Sequence, residues 1–123
     1  MRRVKCSYER EDKRGIFREY LNGDRCWRAV NQGFMKKNAV LGNHYHKKCR
    51  SAFFVLSGSA DFLIKDVRKK ARTAKFKLRE GEGVLVEPYE THTIKFRESS
   101  QFLLLKSEKF DPKHADLYEA KLI

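Results

Sequence analysis

The sequence has no run of apolar residues long enough to cross a bilayer. The longest, Ala52 to Leu56 and Phe102 to Leu105, fall far short of the roughly 18 residues a spanning helix needs. A transmembrane helix is excluded. A signal peptide is missing too, because the basic Met1-Arg2-Arg3 leads into Val4 to Glu9 without an apolar stretch, so a cytoplasmic protein is expected. Cysteine is scarce: Cys6, Cys26 and Cys49 are an odd, widely spaced set with no CxxC pair, which argues against a disulfide framework or zinc knuckle and for reduced thiols. Proline is scarcer, with only Pro88 and Pro112, and no repeat, low-complexity tract or linker interrupts the chain. At 123 residues this leaves one domain, 1–123, with any site in or on a single core and no interdomain cleft.

What is present is enough apolar material for that core: 41% hydrophobic residues, including nine Phe and five Tyr, beneath a 36% charged fraction. The formal net charge of +12 favours anionic partners, whether a phosphorylated small molecule, nucleic acid or an acidic lipid surface. Dense surface ion pairing of the thermophile kind accounts for such charge equally well.

Turn signals recur about every ten residues with short strand-like runs between them, the pattern of an all-β sandwich or barrel. Asn22-Gly23 predicts a type I′ hairpin joining Gly15–Leu21 to Arg25–Asn31. Further strands are expected at 39–46, 52–56, 59–65, 73–78, 83–87, 91–97 and 101–107. The division is N-terminal strands 15–31, barrel 38–107 and tail 108–123, with Asp111 to Ala120 either a short helix after Pro112 or an extended arm. Between Lys65 and Arg79 the chain is strongly basic. Nucleic-acid binding there is disfavoured, because only Phe76 is available to stack and it alternates as a buried residue; a solvated hairpin is the simpler reading.

Side chains alternate across a strand, so His44 and His46 share a face, roughly 7 Å apart along it, while Tyr45 points away. In Thr91 to Phe96 the alternation puts His92, Ile94 and Phe96 inward and Thr91, Thr93 and Lys95 outward. Three of the four histidines therefore converge inside an apolar barrel. Neutral imidazoles in such a place hold a divalent metal or move a substrate proton. His114 lies in a polar tail and is expected to be solvated; Trp27 is expected in the core or at a dimer contact.

Gly42-Asn43-His44-Tyr45-His46 with Ser51 and Gly58, then Gly83, Pro88 and His92, resembles the two signature motifs of the cupin superfamily. The resemblance implies a double-stranded β-helix, a small jelly-roll barrel. Asp12 to Glu19, Val30-Asn31-Gln32 and Gly42 to Tyr45 resemble segments of dTDP-4-dehydrorhamnose 3,5-epimerases. His44-Tyr45-His46-Lys47 is similar to a motif of dTDP-hexose 3,4-ketoisomerases, and Gly42 to His46, Pro88 to His92 and Phe110 to Tyr118 resemble the cupin domain of capsular-polysaccharide assembly proteins.

These resemblances imply an epimerase or ketoisomerase of a nucleotide-linked 4-keto-hexose. Arg14 would contact the diphosphate, Phe17 would stack on the base and Glu19 would hydrogen-bond it. His44 would be the catalytic base, with His46 relaying protons and Tyr89 or Tyr45 the opposing acid. His44, His46 and His92 would hold one divalent metal, zinc foremost, and the protein would be a homodimer whose N-terminal strands exchange, carrying Arg14 and Glu19 to the neighbouring pocket. The alternative is a metal-binding cupin of other or no catalytic activity. Two positions depart from the patterns. Ser51 stands where metal cupins have Glu and ketoisomerases Gln, and Leu41 replaces an Arg, so a cation must come from elsewhere: Arg28, Lys36, Lys37 or Arg50. Cys49 is read as a bystander on a loop.

Overall fold

Period-two alternation is what a half-buried strand requires. The computed structural model, which describes every residue except 25, is built from such strands. They run β1 (Arg2–Val4), β2 (Tyr8–Asp12), β3 (Gly15–Glu19), β4 (Ala29–Met35), β5 (Val40–Tyr45), β6 (Ser51–Ser57), β7 (Ser59–Asp66), β8 (Ala74–Arg79), β9 (Gly83–Val86), β10 (Glu90–Phe96), β11 (Ser100–Lys106) and β12 (Tyr118–Glu119). No helix occurs among the described residues, and so none is long and apolar enough to cross a membrane.

Two five-stranded antiparallel sheets, β1-β9-β6-β11-β4 and β12-β5-β10-β7-β8, make the jelly roll, the all-β double-stranded β-helix that the motifs implied. β1 and β4, before residue 38, and β12, after residue 107, complete the two sheets. Between the sheets lie Phe53 and Val55 of β6, Phe62 and Ile64 of β7, Ile94 and Phe96 of β10 and Phe102 of β11, none more than 7% exposed. Phe53 stacks on Phe102 at 5.5 Å and meets Phe62 at 6.0 Å, so an aromatic cluster forms the middle of the core. Burying each such ring contributes about 1.5–3 kcal/mol. A second cluster covers the outside of the first sheet, where Tyr20, Leu21 and Trp27 pack on Val4, Phe54 and Leu85. Trp27 is thus a packing residue.

The N-terminal segment corrects one expectation. β3 pairs backwards with β2 and not forwards across Asn22-Gly23. The tight turn is Asp12 to Gly15, closed by the Asp12 carboxylate accepting from the Arg14 backbone N–H at 2.9 Å. At the Asn-Gly site the positive φ angles fall on Leu21 and Gly23, not on Asn22 and Gly23, so the type I′ geometry is not formed. Instead the Asp24 N–H donates to the Leu21 carbonyl, and the chain goes on to β4, which pairs with β11. The expected partner strand began at Arg25, which lies outside the described residues.

The C-terminal segment takes the extended alternative and not the helical one. β12 pairs with β5, Tyr118 opposite Tyr45 and Glu119 opposite His44. This also explains why Thr91 and Thr93, expected outward, are both buried. The Thr91 hydroxyl donates to the Ala120 carbonyl at 2.6 Å, and that of Thr93 to the Asn43 side-chain oxygen at 2.7 Å. The outer face of β10 is therefore roofed by the chain's last residues.

Candidate functional site

The site begins with an irregularity in β5. Opposite β10, Leu41 pairs with Ile94, Gly42 with Thr93 and His44 with His92, which leaves Asn43 as one extra residue. Such a bulge resets which side chains face inward. Leu41 faces the core before it and His44 after it, whereas strict alternation from Leu41 would have sent Tyr45 inside. Gly42 and Asn43 supply the backbone the bulge needs, with φ of +98° and +60°. A side chain at Gly42 would collide with the His92 carbonyl.

His44, His46 and His92 consequently meet, each offering a ring nitrogen within 4.8 Å of the others. His44 and His92 are edge to face with centroids 4.8 Å apart, His46 lies 5.0 Å from His44, and His92 stacks nearly parallel on Phe62. A backbone carbonyl lies at each ring: Glu90 at 3.1 Å from His92 Nδ1, Asp116 at His46 Nδ1, and Gly42 at His44. An imidazole that donates N–H to a carbonyl keeps its other nitrogen as a free lone pair. Burial holds His44 down at about 4, with His46 and Lys106 adding like-charge repulsion, and burial likewise holds His92 at about 4. Both are neutral at physiological pH.

His44 and His92 line a cavity of about 170 Å³. Its other walls are apolar, Phe53, Phe62 and Phe102 among them, and it contains the two departures, Leu41 and Ser51. Ser51 is buried at 4% exposure, so an uncharged hydroxyl stands where a carboxylate would bring negative charge. His46 borders an adjoining cavity of about 90 Å³ that it shares with Lys106 and Asp116. Lys106 follows Phe102 and Leu104 in the inward phase of β11 and lines the His46 cavity, close enough for its charge to oppose protonation of His44. Sequence reasoning missed it, although the same alternation that gave His92 would have found it. Of the cations considered instead, Arg50 is paired with Glu87 at 2.8 Å, and Lys37 lines a separate cavity on the outer face of the second sheet.

Other expected site residues stand apart. Arg14 is exposed at the tip of the β2–β3 hairpin, paired with Asp12 at 2.7 Å. Phe17 is 53% exposed beneath the Arg10 guanidinium, and the Glu19 carbonyl accepts from Ser7. None of the three lines the histidine cavity of the same chain. Tyr89 does not line it either: its ring stacks on the outward-facing Tyr45 and lies under Arg68, away from the histidine cavity of its own chain. Tyr45 points away, as expected, and stacks on Tyr118. Cys49 is buried and does not join the histidine group, and His114 is exposed beside Asp111.

Comparison with known proteins bears on this geometry. Residues 10–118 match the model of a family described as the polysaccharide biosynthesis C-terminal domain. A search of the curated proteins gave no match. Among solved structures, the capsular polysaccharide assembling protein CapF from Staphylococcus aureus superposes on 94% of this chain with a TM-score of 0.72 at 23% identity; the chain spans 32% of CapF. The sugar 3,4-ketoisomerase QdtA from Thermoanaerobacterium thermosaccharolyticum, in complex with TDP, gives a TM-score of 0.79 at 21% identity, over 94% of this chain and 85% of that one. The dTDP-4-dehydrorhamnose 3,5-epimerase from Sulfolobus tokodaii gives 0.75 at 24% identity, over 86% and 70%. These likenesses show a shared fold.

Proposed function

The chain belongs to the polysaccharide biosynthesis C-terminal domain family, and from that premise we propose that it is an isomerase of a nucleotide-linked 4-keto-hexose, an epimerase or ketoisomerase working by histidine-mediated proton transfer. The observation that carries this reading is the convergence of three imidazoles, each with a backbone carbonyl at its ring, two of them lining a small apolar cavity and the third, His46, bordering the cavity beside it. The cavity has room for a sugar ring, and the nucleotide would lie outside it.

In this reading a neutral imidazole, His44 or His46, takes the proton from the carbon beside the ketone. The C–H electrons become the enolate; in a ketoisomerase the same imidazolium returns the proton at the neighbouring position, whereas in an epimerase a separate acid, a water molecule included, delivers a proton to the opposite face and the imidazolium releases its own to solvent. Burial that disfavours a lone imidazolium is offset when an enolate forms beside it, because the pair is neutral overall. The Lys106 ammonium steadies the enolate oxygen, a task the missing Arg at Leu41 would otherwise perform.

The three histidines also suit one zinc ion. Neutral nitrogen donors whose far nitrogens are held by carbonyls are the ordinary ligand set for that metal. When bound, zinc would polarise the substrate ketone. Arg14, Phe17 and Glu19 would then serve the nucleotide of a neighbouring subunit. That requires a homodimer, formed on the edge strand β4 and the apolar outer face beside it, where Val30 is 64% and Phe34 57% exposed. A cytoplasmic location fits three free cysteines.

The test is solvent-deuterium washout from TDP- and UDP-4-keto-hexoses. Incorporation at C3 or C5 is expected, and it should vanish in His44→Gln. No incorporation with any such substrate would leave the metal-binding cupin without this activity, which elemental analysis of tag-free protein then tests: near one zinc per chain supports it and metal-free protein removes it.

A further inference from the structure

Asp116 lies in the Phe110 to Tyr118 segment that resembles the capsular-assembly cupin domain but carries no assigned role, and it makes four hydrogen bonds beside the histidines. Its carboxylate accepts three consecutive backbone N–H groups, from Lys47 at 2.7 Å and from Lys48 and Cys49 at 2.9 Å each. Its own carbonyl oxygen meets Nδ1 of His46. One residue thus grips both the loop that follows His46 and the His46 ring.

The grip is anchored on both sides. Beyond Asp116, β12 pairs with β5, Tyr118 stacks on Tyr45 at 5.4 Å, and the Lys47 ammonium lies 4.2 Å from the Tyr118 ring centre. His46 needs such support more than its partners do. His44 lies within β5 and His92 within β10, whereas His46 comes just after the end of β5, where its carbonyl accepts from the Tyr89 N–H at 2.7 Å but its side chain is outside the ladder. Left alone, a loop imidazole samples several rotamers and both tautomers.

We propose that Asp116 is the positioning residue of His46. It holds the 47–49 loop by its carboxylate and, through its backbone carbonyl, keeps His46 in the Nδ1–H tautomer with Nε2 free toward His44 and His92. The inference concerns how His46 is held and does not depend on which reaction the pocket performs.

The experiment is two-bond ¹H–¹⁵N correlation spectroscopy on the full chain labelled with ¹⁵N-histidine. The protein is treated with chelator, since a cation on Nε2 would impose the same tautomer, and kept at about pH 8 so that imidazoles are neutral. Wild type should show His46 as a single Nδ1–H form. In Asp116→Ala the His46 signals should become a mixture with substantial Nε2–H, and the amide hydrogens of Lys47, Lys48 and Cys49 should exchange faster. His92, held separately by the Glu90 carbonyl, should keep its signals, which separates loss of positioning from loss of fold. Asp116→Asn, with one acceptor oxygen retained, should fall between the two, and it is read in the same way should the Ala variant not fold. Wild-type His46 in the Nε2–H form, or a variant whose His46 signals match wild type, overturns the proposal.

Discussion

His92 lies directly opposite His44 in the β5–β10 ladder, and their rings meet edge to face at 4.8 Å. Two imidazoles so placed cannot both become cationic without repulsion in a site that already disfavours charge.

The pH dependence of stability follows. Both groups titrate at about 4 in the folded chain and near 6.5 when unfolded, so between these values the unfolded chain binds more protons. Stability is complete above about pH 6.5 and falls as the pH drops toward 4. Thermal unfolding of chelator-treated protein across that range should show the midpoint dropping, and His92→Phe should flatten the decline; a flat wild-type profile would contradict the buried neutral pair.

Gly42→Ala should destabilise by about 1–3 kcal/mol, since its φ of +98° strains any side chain and the added carbon meets the His92 carbonyl. Urea denaturation measures the loss. A neutral result would mean the bulge is far more pliable than its hydrogen bonds imply.

Phe62 is fully buried and stacks on His92 with ring planes 5° apart. Phe62→Ala should cost about 3–5 kcal/mol by leaving a cavity. Phe62→Leu should cost less while still loosening His92, seen as new rotamer signals for that ring by NMR.

Lys106→Met keeps the aliphatic stem and removes the charge. Deuterium exchange should slow by about 10²-fold or more. Stability should stay within about 0.5 kcal/mol of wild type. Unchanged exchange would remove Lys106 from the reaction.

Phe34→Asp puts a charge on the exposed edge strand β4. Light scattering should move from twice the 14.6 kDa chain mass to the mass of one chain. A monomeric wild type would end the idea of shared sites.

The stretches whose register is set by a buried face were legible in the sequence. β6, β7, β10 and β11 were legible as short apolar or alternating runs because each packs a face against Phe53, Phe62 or Phe96, and the histidine trio was readable because His44 and His46 are two apart and His92 sits in the alternation of β10. Where a local signal competed with a distant partner, the reading failed. Asn22-Gly23 is a strong hairpin cue, yet β4 finds β11 instead, some seventy residues later. Nothing local in Asp116 to Glu119 announces that this piece will lie along β5, and Tyr89 was named with Tyr45 as the opposing acid because an epimerase needs one, while nothing in the sequence says that the Tyr89 ring turns to Tyr45.

The lone additional residue at Asn43 ties the end of the chain to the histidine strand, its side-chain oxygen accepting from the Thr93 hydroxyl and from the Leu122 and Ile123 backbone N–H groups. Deleting it would leave Leu41 opposite Ile94, Gly42 opposite Thr93 and His44 opposite His92, so both imidazoles of the His-Tyr-His triplet would still face inward, while the C-terminal residues would lose the acceptor that fastens them. Among divergent copies of this barrel, a one-residue gap at that position is therefore compatible with an intact histidine chamber, and what it forfeits is the fastening of the tail.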